Sequence, residues 1–167
     1  MRPMAGLARG MLGAAAATGC MSVLRMGARR AGLIDMTPPQ ATKDRLAHWM
    51  GVAPRTAAEQ HLVDATVHAA VGLAGGVAYR ALVGDRGRAR LAVGALFGLG
   101  VFALAFGLLA PRLGIARPPW RATAAENAVN VAAHLLYGTA MALVAGELAE
   151  QARGPGAVVR RWRGRVG

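Results

Sequence analysis

Cysteine is almost absent from this chain. The single Cys20 excludes an intrachain disulfide and any multi-cysteine metal site. Aromatic residues are also scarce, at 5%, and they do not alternate with the basic residues as a nucleic-acid platform would require. Acidic side chains are few: 8 Asp plus Glu face 20 Lys plus Arg, for a formal charge of +12. Catalytic signatures are missing as well. There is no Ser/His/Asp triad, no phosphate-cradling glycine loop and no dinucleotide fingerprint, so no catalytic residue, no cofactor and no enzyme activity are expected.

What is present is apolar bulk. Hydrophobic residues make up 54% of 167 residues, and most are Ala, Leu and Val, with 23 glycines beside them. The length suits one domain. The arginines sit at the borders of apolar blocks, the pattern of an integral membrane protein beside anionic headgroups. Nucleic acid is therefore not expected as a partner, and a solvated basic face is the blander alternative.

A helical span needs about 20 mostly apolar residues. "LAVGALFGLGVFALAFGLLA", 91–110, meets this without a single charge. A second runs over 125–147, a third over 61–83, and the weakest over 5–26. In that first span Arg9 and Arg25 are expected to snorkel to the membrane edge. "ATGC", 17–20, resembles a lipoprotein cleavage box, but Ala17 stands where Leu belongs and the apolar run continues to Leu24. An uncleaved span is expected, with lipidation of Cys20 as the alternative. The expected fold is an all-α integral membrane four-helix bundle over residues 1–152, followed by a basic cytoplasmic tail, 153–167.

Between the first two spans, Pro38 and Pro39 precede Leu46, Trp49 and Met50 on one side of a short segment. This suits an amphipathic helix lying in the interface, with Trp49 at headgroup depth. An ordinary loop is the alternative. Glycines recur four residues apart at Gly6/Gly10, Gly72/Gly76 and Gly94/Gly98, a spacing that lets helix backbones approach closely in lipid. The arginine clusters at 80–90 and in "RRWRGR" place both termini in the cytoplasm.

The polar residues within the spans are the ones to explain. His61, Asp64 and His68 are spaced i, i+3, i+7, and Asn127, Asn130 and His134 repeat that spacing. Each trio lies on one helix face. Both helices run from the same side of the membrane, so the trios would meet in layers: His61 with Asn127, Asp64 with Asn130, His68 with His134. Such a seam has three readings: interhelical hydrogen bonds that fix packing, a site for a proton, ion or small solute, or a metal site. The spacing matches no specific metal motif, so no metal ligand is assigned. Glu126 has a simpler explanation, because "TAAE" at 123–126 and again at 56–59 has the form of a helix capping box. The repeated caps, each behind a double proline, suggest two related helix pairs.

Taken in order, "TPP" (37–39), "DRLAHWMGV" (44–52), "GGVAYRAL" (75–82), "GALFGLGVFALAF" (94–106), "RPPW" (117–120) and "AHLLYG" (133–138) resemble the YagU-type family of bacterial inner-membrane proteins. The resemblance covers about residues 35–148. It implies a four-helix protein of the bacterial inner membrane and supplies neither substrate nor site residues. The expected function is a multi-pass membrane protein that binds or passes a proton, ion or small solute at the seam. The alternative is a structural or stress-associated membrane protein. The expected partners are the lipid bilayer with its anionic headgroups and, as a candidate, a second copy of the chain.

Overall fold

The structure, a computed structural model, describes residues 2–35, 42, 44, 45, 47–49, 51, 56–83 and 90–151. Among these the regular structure is all helical, without strands. Four helices are long and apolar enough to cross a membrane. α1 is Arg2–Arg30, α2 is Ala57–Leu82, and α4 is Ala124–Gln151. α3 begins at Arg90–Phe102, widens into a π-helix at Ala103–Leu109 and closes at Ala110–Arg112. The all-α bundle expected from the sequence is what forms. The arginine hairpin at 84–89, the tail from residue 152, and the side chain of Asp64 lie outside the described residues.

The helix boundaries follow local chemistry. At the start of α2, Thr56 and Glu59 form a reciprocal capping box, with both hydrogen bonds at 3.2 Å. The same box opens α4: the Thr123 amide donates to Glu126 at 2.7 Å, and the Glu126 amide donates to Thr123 Oγ1 at 3.1 Å. Glu126 also pairs with Arg117 at 2.8 Å, tying the cap to the preceding loop. Thr123→Ala should cost about 1 kcal/mol of stability by freeing that amide, and hydrogen exchange at residues 124–127 should rise selectively. Unchanged exchange there would refute the role assigned to the cap.

α1 and α3 end on left-handed glycines. Gly32 (φ +71) lets the Leu33 amide reach back to the Ala28 carbonyl at 2.9 Å, and Gly114 (φ +65) does the same for Ile115 and Ala110 at 2.8 Å. In the connection between α1 and α2, residues 42, 44, 45 and 47–49 are helical, and Trp49 is half-exposed with the Arg45 guanidinium 5.3 Å from its ring centre. Arg45 Nε donates to the Leu113 carbonyl at 2.9 Å, which ties this segment to the end of α3. Pro38, Pro39, Leu46 and Met50 lie outside the described residues.

α4 is the centre of the bundle. It packs against α1 on one side and α3 on the other, while α2 packs mainly against α1. Missing side chains make this possible. A Cβ on Gly98 would strike the His134 carbonyl, and one on Gly138 would strike the Gly94 carbonyl. A Cβ on Gly76 would meet the Gly10 carbonyl at 2.7 Å, with Ala14 beside it. Close helix approach in lipid depends on such small residues, because the surrounding acyl chains are as apolar as the interface itself. The core between the helices contains Ala14, Ala17, Met21, Tyr79, Ala133 and Met141.

Candidate binding cavity

α1 carries an apolar window over Gly10–Arg30. Within it the Arg25 side chain is only 4% exposed, enclosed among the helices rather than reaching outward as expected. The reason is register: Ala14, Ala17, Met21, Arg25 and Ala28 form one buried stripe at helical spacing. That stripe is visible in the sequence, and it is the signal by which Arg25 could have been recognised as a site residue.

The guanidinium has sparse company. One terminal nitrogen donates to Asn130 Oδ1 at 3.3 Å, a long contact, and the Phe106 ring centre lies 5.9 Å from Cζ. Arg25 Nε is buried without a hydrogen-bond partner, and so is Thr18 Oγ1 two turns earlier on the same helix. Among the described residues no carboxylate pairs with Arg25.

The six residues expected to form the seam are divided by this arrangement. His68 and His134 do reach one cavity, but they do not meet each other: His68 meets a group of α1, and His134 is held by α4 and α3. Ser22 Oγ lies 3.3 Å from His68 Nε2. His134 Nδ1 donates to the Asn130 carbonyl at 2.7 Å, since a carbonyl only accepts, and its ring packs against both Phe102 and Phe106 at centroid distances of 5.6 and 5.4 Å. Asn130 Oδ1 accepts from Arg25, and the side chain of Asp64, its expected partner, lies outside the described residues. Asn127 donates to the Pro119 carbonyl at 2.7 Å, and His61 is exposed, so the expected layer of His61 with Asn127 does not form. Both trios share helix faces as expected. At the helix ends, however, the loop before α4 satisfies Asn127 first. α2 and α4 are joined directly by Tyr137, whose hydroxyl donates to the Gly72 carbonyl at 2.9 Å.

Between the helices lies a cavity of about 320 Å³. Its polar wall is formed by Thr18, Arg25, His68, His134 and Tyr137, and Thr42 from the connection between α1 and α2 adds a further hydroxyl to the lining. The facing walls are apolar, from Val67 and Val71 of α2 and Val101, Ala105 and Leu109 of α3. At the start of the π-helical stretch Phe102 and Phe106 stack at 5.7 Å and both contact His134. Among the described residues no three His, Cys, Asp or Glu side chains converge as metal ligands would.

No protein family, curated protein or solved structure matches the chain. The resemblance noted above therefore rests on the quoted motifs alone.

Proposed function

We propose that this is a multi-pass protein of the bacterial inner membrane, with both termini cytoplasmic, that binds a small anionic solute in the cavity beside Arg25. The observation that carries the reading is the buried guanidinium: its Nε lacks a partner, and no carboxylate among the described residues neutralises it. An isolated cation is costly in an apolar interior. A bound oxyanion would supply the missing charge and acceptor together, and arginine suits it because its planar fork matches a carboxylate. Thr18 and His68 offer further polar contacts around the same space. Their role is recognition, and no catalytic step is assigned to them.

The location rests on the four apolar helices and on the resemblance to YagU-type proteins. The basic surroundings of the spans suit anionic headgroups. A second reading, in which the polar residues only fix packing, is favoured by the Tyr137 bond to Gly72 and the Asn127 bond to Pro119. Melting temperature of the purified chain in detergent separates the two. At constant ionic strength, acetate and hexanoate should raise it relative to chloride in the native chain and not in Arg25→Met. If neither carboxylate acts through Arg25, the packing reading stands and the binding reading is lost.

A further inference from the structure

We propose that the solute is a single-chain amphiphile: a medium-chain carboxylate, of about eight to ten carbons, that enters sideways from the bilayer. The inference rests on the reading of the Arg25 cavity as an anion site and names what occupies it. Three observations lead to it.

The first is the contrast between the walls. One wall carries a buried arginine and a buried threonine hydroxyl, each with an unpartnered polar atom. The opposite walls, Val67, Val71, Val101, Ala105 and Leu109, offer a ligand nothing polar from their side chains. A small hydrated anion would satisfy the first wall and leave the rest of the space lined by hydrocarbon. A carboxylate with an acyl tail satisfies both, since ligand sites of this kind are mostly apolar with a few placed polar groups. Among the described residues lining the cavity, Arg25 is the one Arg or Lys, which suits a head carrying a single negative charge.

The second observation is size. At about 30 Å³ for each water-sized group, a cavity of about 320 Å³ holds roughly ten non-hydrogen atoms. That volume suits one medium acyl chain with its carboxylate and is left largely unfilled by acetate or formate alone.

The third is the way in. α2 and α3 touch at one end, where Tyr79 and Phe97 meet edge to face at 5.1 Å. Away from that contact neither helix packs substantially on the other, because α2 packs on α1 and α3 on α4. The cleft between them is edged by Val71 and Leu109, which line the cavity yet are 65% and 47% exposed. In a bilayer those side chains face acyl chains, so a molecule already dissolved in lipid can slide between them without crossing water.

The test uses the full chain in maltoside micelles, with equilibrium dialysis of isotopically labelled acetate, hexanoate and decanoate and with decyltrimethylammonium as the cationic control. Decanoate should bind saturably at one per chain, and hexanoate more weakly, by roughly threefold to fourfold per methylene relative to free aqueous ligand. Decyltrimethylammonium should not compete. Arg25→Met should weaken decanoate at least tenfold. Val71→Trp, at an exposed position that leaves the guanidinium untouched, should do likewise by filling the entrance. Equal affinity for acetate and decanoate would remove the acyl tail while leaving the anion site standing. Competition by decyltrimethylammonium, or unchanged binding in Val71→Trp, would overturn the proposal. Loss of all carboxylate binding would overturn both readings.

Discussion

Gly98→Ala and Gly138→Ala are each expected to destabilise the protein more than any other single added methyl group. The added Cβ at either position would occupy the space of a backbone carbonyl on the partner helix, His134 for Gly98 and Gly94 for Gly138. A flexible side chain could swing aside, but a carbonyl moves only if α3 and α4 separate. Separation would also disturb the packing of Phe102 and Phe106 on His134. Overpacking a tight site costs about 1–3 kcal/mol, and the backbone contact places these substitutions at or above the upper end. Gly100→Ala is the internal control, since a Cβ there meets nothing within 4 Å. It should be neutral or stabilising by up to about 1 kcal/mol, because glycine loses more backbone entropy in a helix than alanine. Unfolding in mixed micelles, followed by circular dichroism, reads the difference. Equal stability of Gly98→Ala and Gly100→Ala would show that the α3–α4 crossing is looser than described.

Arg25→Met should have the opposite effect on the empty protein: unchanged or greater stability, alongside lost anion binding. Two terms compete. The substitution gives up one long hydrogen bond to Asn130, 3.3 Å, and the Phe106 contact at 5.9 Å. Interhelical bonds of this type average only about 0.6 kcal/mol in membranes. It also removes a buried donor that has no partner, which relieves a penalty of about 1–3 kcal/mol. The second term is the larger, and methionine keeps most of the apolar stem that packs along the α1 stripe. A binding group that weakens its own scaffold is the usual signature of a site retained for function. A clear loss of stability in Arg25→Met would mean that the guanidinium is held by stronger bonds than those described here, and would favour the packing reading.

Much of the bundle was legible without coordinates. Helix termini are local problems, so "TAAE" at 56–59 and 123–126 predicted both capping boxes, and Glu126 correctly fell outside the polar seam. Gly10, Gly76, Gly94 and Gly98 mark close backbone approach because the absence of a side chain acts the same way whatever the neighbour. Periodicity placed each trio on one face of its helix. It said nothing about what faces it. His61 and Asn127 were assigned to each other on depth alone, and the loop carbonyl of Pro119 claimed Asn127 instead.

Arg25 shows the same division more sharply. Its charge and its place near the end of an apolar run suggested a residue at the membrane edge. Its position on the Ala14, Ala17, Met21, Ala28 stripe turned it inward. The sequence by itself determined four apolar spans and the capping boxes of two of them, because those depend on apolar length and local hydrogen bonds. Only the tertiary structure decided that α1 lies against α4 and places a cation where two histidines were expected to meet. Which faces touch is decided by the packing of all four helices together, and no single helix encodes it.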